Sequence, residues 1–207
     1  MKTKHIVLVG ISIFTALSSF AQSQADIDAK VEKFLKDHKN EWHDLNVPFV
    51  DGQTLHDIIV KHGYKSALEI GTSTGHSTIW IAWAMSKTGG KVTTMELNEK
   101  RQKEAIKNLT EAGLIQFVDS RLGNAHEIAK QLPGPFDFVF SDADKDWYKQ
   151  YFLDVTPKLK QGGCYTAHNV IDGNTPADYN DFVQKNAAFE TTIDKKSRAG
   201  IMISYKK

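Results

Sequence analysis

SALEIGTSTGHS, residues 66–77, decides the fold. Ser66 to Ile70 reads as a short buried strand, and it empties through a loop framed by Gly71 and Gly75 into a helical stretch from Thr78 to Met85. A strand followed by a tight glycine turn and a helix opens a βαβ unit. Glycines at the turn let the backbone approach a ligand, because no side chain stands in the way. The helix start then offers free N–H groups to an anionic group, and Ser77 adds a hydroxyl. The spacing matches neither GxGxxG nor GxxxxGK[ST], which excludes the dinucleotide fingerprint and the phosphate-cradling loop.

Working outward, the same alternation continues on both sides. Upstream, Asp26 to Lys39 and Gln53 to Lys61 read as helices, separated by an irregular Asn46 to Gly52 that contains Pro48. Downstream, strands are expected at Lys91–Met95, Ile115–Asp119, Phe136–Ser141 and Gly163–Ala167. Helices at Glu99–Ala112, Ala125–Gln131 and Trp147–Leu159 separate them, with Asn98 as the cap of the first. Tyr179 to Asn186 is the last helix, and Phe189–Ile193 with Ile201–Tyr205 form a closing antiparallel pair. Strands joined by helices require right-handed crossovers and a mostly parallel α/β sheet covered on both faces. Residues 22–207 read as one domain. In such sheets, ligands lie beyond the carboxyl ends of the strands.

Composition narrows the partners. The 207 residues carry 26 Lys plus Arg against 25 Asp plus Glu, so no broad basic field is available for nucleic acid. The single cysteine, Cys164, cannot form an internal disulfide, so the fold does not depend on an oxidising compartment. Residues 1–21 combine Lys2 and Lys4 with an apolar run to Leu17 and a small-residue end at Ala21, the pattern of a cleaved export signal. The run is too short and interrupted for a membrane span, so no stable membrane insertion is expected after its removal. An exported or periplasmic address follows, with the cytoplasm as the alternative.

The strand ends carry the chemistry. Glu96 ends the second strand, where its carboxylate can accept both ribose hydroxyl hydrogens of a nucleoside-bearing cofactor. The fourth strand ends in Ser141-Asp142-Ala143-Asp144-Lys145-Asp146 and the fifth in Ala167-His168-Asn169. If those strands are neighbours, Asp142, His168 and Asn169 meet at one edge, where carboxylate, imidazole and amide oxygen can hold a divalent cation. Lys145, beside such a cation, can act as a base.

Together these segments resemble the metal-dependent O-methyltransferases of the catechol and caffeoyl-coenzyme A type. The carriers are VDGQ at 50–53, LEIGTSTGHST at 68–78, the strand ending in Glu96, FDFVFSDADKDWY at 136–148 and GGCYTAHNV at 162–170. The resemblance implies a Rossmann-like, seven-stranded sheet of order 3-2-1-4-5-7-6 with the last strand antiparallel. It implies S-adenosylmethionine as cofactor and a divalent cation, usually magnesium. The expected acceptor is an aromatic ring with two adjacent hydroxyls, and a homodimer is implied. Carried over residue by residue, the cation ligands fall on Asp142, His168 and Asn169 and the base on Lys145. Cofactor contacts fall on Val47, Gly71, Ser73, Ser77, Glu96, Ala125, His126 and Asp142.

This chain departs from the family pattern at two places. His168 stands where the family has aspartate, which removes a negative charge and opens the site to manganese, zinc or iron. Activity should also fall in acid, because a protonated imidazole binds no metal. Ala143 and Asp144 replace the histidine and tryptophan of the animal catechol enzymes. The connection from Ile171 to Arg198 is short for a large lid, which points to a small free catechol. Two alternatives stand beside this reading: a non-catalytic exported small-ligand or metal-binding module, and another nucleotide-cofactor enzyme of the same fold.

Overall fold

FDFVFS, residues 136–141, shows how the chain builds its core. In a computed structural model describing residues 23–43 and 45–207, these residues form a strand buried on both faces. Phe138 and Phe140 pack toward one helical layer and Val139 toward the other, as a two-residue side-chain period demands. Each fully buried Phe contributes roughly 1.5–3 kcal/mol from area removed from water. The export-like segment lies outside the described residues.

The strands are β1 (Ser66–Ile70), β2 (Lys91–Glu96), β3 (Val118–Leu122), β4 (Phe136–Ser141), β5 (Leu159–His168), β6 (Phe189–Asp194) and β7 (Ile201–Lys206). They make one seven-stranded sheet of order β3-β2-β1-β4-β5-β7-β6, as the resemblance implied. The first five pair in parallel, and β7 runs antiparallel to both β5 and β6. The helices are α1 (Gln24–Asp37), α2 (Phe49–His62), α3 (His76–Thr88), α4 (Glu99–Glu111), α5 (Ala125–Gln131), α6 (Tyr148–Val155) and α7 (Ala177–Gln184). Residues of α1 to α4 fill one face around Val31, Leu55, Ile59, Ile79 and Leu109. Those of α5 to α7 fill the other around Tyr148, Phe152, Tyr165 and Tyr179.

Several boundaries differ from the sequence reading, among them β5, which starts at Leu159 rather than Gly163, and three have a local reason. The segment read as irregular through Gly52 is already helical from Phe49, because Pro48 sits in extended backbone at the N-cap and Asp51 lies in the first turn. Residues 115–117 form a 3-10 turn, so β3 begins only at Val118. The helix expected from Trp147 to Leu159 ends at Val155, and a short 3-10 turn containing Pro157 follows. Asn98 caps α4 as expected, accepting from the Lys100 and Arg101 N–H groups.

Candidate active site

The tips of β1, β4 and β5 end level with one another. Ile70 pairs with Ser141, and Ser141 with Ala167. The next residue on each strand is Gly71, Asp142 or His168, so the register alone sets those three side by side. Gly71 has φ 101°, and a Cβ there would lie 2.7 Å from the Asp142 carbonyl oxygen. Only glycine lets the loop pass this close to β4.

Beyond these tips lies a cavity of about 760 Å³. Its walls include Gly71, Ser73, Glu96, Ala125, His126, Asp142, Lys145, His168 and Asn169, so nearly every residue expected at the site meets there. Val47 and Ser77 are not in its wall. The Ser77 hydroxyl donates to Glu69 Oε1 at 2.6 Å, and the buried Val47 offers its carbonyl to His76 Nδ1 at 2.8 Å. Both support the loops that frame the cavity. Leu45 and Asn46 line it in place of Val47.

On the β1–β2 side the geometry is set by the main chain. Ser73, at φ 50°, donates its N–H to Glu96 Oε2 at 2.8 Å, and Asn98 N–H donates to Oε1 at 2.9 Å. The Glu96 carboxylate is therefore held in place, with lone pairs left for further donors. Beneath the loop, the fully buried Glu69 accepts from Ser77, Thr78 and Thr94. Burial outweighs those three bonds and pushes its carboxyl up to about 7.

On the β4–β5 side the geometry is set by charge. Lys145 Nζ donates to Asp142 Oδ1 and, at 2.8 Å, to the Tyr148 hydroxyl, which itself donates to the Ser141 carbonyl. Burial alone would raise the Asp142 carboxyl, but His168 and Lys145 hold it below the usual carboxylate range. His168 Nε2 lies 2.8 Å from Asp51 Oδ2, and Nδ1 lies 3.3 Å from Asp142 Oδ2. Burial would lower the imidazole, but the two carboxylates overcome it and raise it to about 9. Asn169 adopts φ 59°, a conformation asparagine tolerates, and its Nδ2 donates to Asp172.

Does this donor set suit a divalent cation? Among the described residues, no group of three or more His, Cys, Asp or Glu side chains is disposed to hold one. The strand-tip set is instead one carboxylate, one imidazole and one amide. Its chemistry nevertheless fits: His168 Nδ1 is buried without a hydrogen-bond partner and faces Asp142 Oδ2 across a gap that an ion or a proton can fill. Asn169 keeps Oδ1 in reserve, since its amide nitrogen serves Asp172. Proton and cation compete for that gap.

Sequence reasoning missed several wall residues. Leu97 is 71% exposed at the cavity rim, an apolar surface beside Glu96 that periodicity does not flag. Arg101, Tyr151 and Asn174 also line it. His126 stacks on Trp147 with ring centroids 4.1 Å apart, and Nε2 reaches Asp144 at 3.2 Å. Trp42 stacks on His76 with ring centroids 4.5 Å apart.

The O-methyltransferase family model matches residues 19–203. The chain belongs to that O-methyltransferase family. A catechol O-methyltransferase from Niastella koreensis is 41% identical over 120 residues, 56% of this chain and 54% of the relative. Caffeoyl-CoA O-methyltransferase 1 from Eucalyptus globulus is 31% identical over 138 residues, covering 64% of this chain and 56% of the relative. The matched stretch thus spans about half the length of these curated relatives. Among solved structures, an O-methyltransferase from Bacillus cereus in complex with SAH superposes with a TM-score of 0.72 at 25% identity, covering 92% of this chain and 94% of its own. The SAM complex of the O-methyltransferase TomG from Streptomyces achromogenes gives 0.70 at 25% identity, covering 92% and 93%.

This kinship corrects the exported or periplasmic address. The family match begins at residue 19, ahead of the cleavage expected after Ala21, and the relatives are O-methyltransferases. The kinship favours the cytoplasmic alternative. Among the described residues, no helix is long and apolar enough to cross a membrane.

Proposed function

We propose that this O-methyltransferase moves the methyl group of S-adenosylmethionine to a hydroxyl of a small catechol-type aromatic acceptor, with a divalent cation at Asp142, His168 and Asn169. The observation that carries the reading is the shared cavity. The Gly71 loop and Glu96 form one wall, and Asp142, Lys145, His168 and Asn169 form the adjoining one. The SAH and SAM complexes of the solved relatives support the choice of cofactor.

S-adenosylmethionine supplies an electrophilic methyl group on its sulfonium, and a divalent cation, when bound, lowers the pKa of a hydroxyl it touches. The chain's residues do the rest. Glu96 accepts ribose hydroxyls, and the Gly71–Ser73 backbone seats the methionine end. Ala125 and His126 border the adenine. Asp142, His168 and Asn169 orient the acceptor's two oxygens, which places the attacking one near the methyl carbon. Lys145 Nζ lies between Asp142 and Tyr148, and as the neutral amine it would take up the proton the acceptor loses. The short Ile171–Arg198 connection favours a free catechol over a bulky thioester.

A second reading, an enzyme of the same fold and cofactor that works without a metal, is favoured by one observation. Asp142 already has Oδ1 bonded to Lys145 and Oδ2 facing His168. One assay separates the two. Purified protein is incubated with S-adenosylmethionine and 3,4-dihydroxybenzoate, first with chelator, then with magnesium, manganese or zinc. Methylated product only with metal supports the first reading. Equal product under chelator supports the second, and no product under any condition removes the acceptor class.

A further inference from the structure

Asp51 has no part in the reading above, yet it is one of the most deeply buried acids in the chain. Its side chain is 3% exposed, and that of His168 is 5%. The contact between them joins the first turn of α2 to the tip of β5 across 117 positions of sequence. Gly52 supports that placement. A Cβ there would fall 2.1 Å from Trp80 Cδ1, so only glycine allows α2 to lie this close to α3.

A carboxylate is costly to bury, and the helix N-terminus offsets only part of that cost. An apolar side chain would fill the same space more cheaply. The carboxylate can do one thing an apolar group cannot: accept a hydrogen bond from Nε2–H and so fix both the orientation and the tautomer of the ring. With Nε2–H directed at Asp51, Nδ1 faces Asp142 Oδ2, and its lone pair becomes available to a cation that displaces the proton held between them. Imidazoles that bind metals commonly hand their other N–H to a carboxylate, which fixes the ring and raises its basicity.

We propose that Asp51 is a positioning residue that holds His168 with Nδ1 aimed at the point it shares with Asp142, making the imidazole a serviceable cation ligand in this chain. The inference rests on the cation reading of the site and names the group that lets histidine serve there.

The test is manganese binding, read from the loss of the free-ion paramagnetic resonance signal on the full-length protein, with S-adenosylhomocysteine affinity measured alongside. Asp51→Ala should weaken manganese binding about 10- to 100-fold and leave S-adenosylhomocysteine affinity unchanged. Asp51→Asn keeps an acceptor oxygen at the same place and should fall between Asp51→Ala and the native chain. It carries the test if the alanine variant does not fold. In a His168→Asp background there is no tautomer to fix, so Asp51→Ala should no longer weaken binding. Equal manganese affinity of the native chain and the Asp51 variants would overturn the role of Asp51 alone. Equal weakening in both backgrounds would overturn it too, by showing that Asp51 acts through the fold. Failure of the native chain to bind manganese at all would remove the cation reading, and this inference with it.

Discussion

At the tips of β1 and β2 the cavity wall is made of main chain: a glycine at φ 101°, a serine at φ 50°, and a glutamate clamped by two backbone N–H groups. At the tips of β4 and β5 it is made of side-chain charge: a lysine and an imidazole divided between two carboxylates, with one of those carboxylates borrowed from α2. The first wall is fixed before any ligand arrives and suits a cofactor of constant shape. The second is a set of competing partners for protons and cations, and it suits chemistry. The two walls should therefore fail in different ways.

The largest separation is expected from Lys145→Met. Loss of a general base typically costs about 10²- to 10⁴-fold in turnover, while S-adenosylhomocysteine affinity should stay near the native value. Isothermal titration beside a turnover assay reads both, and a matched loss in the two would erase the distinction between the walls.

Glu96→Ala is the reciprocal case. Removing hydrogen bonds to a charged acceptor costs roughly 1.5–3 kcal/mol, so cofactor affinity should drop about 10- to 100-fold. Manganese affinity should not change. A parallel loss of manganese would mean that the walls are one unit.

The smallest effect sharpens the first wall alone. Burial lifts Glu69 from 4.5 to about 7, so the folded chain keeps a proton that the unfolded chain releases in that window. Its contribution to stability is complete below about 4.5 and is lost as pH rises to about 7. His76 has the opposite sign. Burial lowers it from 6.5 to about 4, so its contribution is complete above 6.5 and is lost as pH falls toward 4. The two oppose each other in the native chain. Glu69→Gln should leave the His76 limb exposed, so that urea midpoints climb with pH between about 4 and 6.5. A variant with the native profile would show that Glu69 is ionised under the loop.

The same contrast explains what could be read from the sequence. The first wall lies in one contiguous stretch, residues 66–77, plus the residue that ends the next strand, and local patterning reveals it. Phe136–Ser141 announces a doubly buried strand, and the acids that follow it mark a functional edge. Ser77 was misdirected because a strand acid beneath the loop, Glu69, claims its hydroxyl. Asp51 was invisible as a site residue. An acid in the first turn of a helix is ordinary, and only the tertiary approach of α2 to β5 gives it His168 as a partner. The export reading rested on lysines ahead of an apolar run, a pattern of composition that carries no information about the chemistry downstream.

Anomalous scattering from crystals grown with manganese and S-adenosylhomocysteine tests the central claim most directly. The account predicts a single peak bound by Asp142 Oδ2, His168 Nδ1 and Asn169 Oδ1, beside the Gly71 loop, with Asp51 still on Nε2. An ordered cofactor with no peak there, and His168 still bridging its two carboxylates, would contradict it.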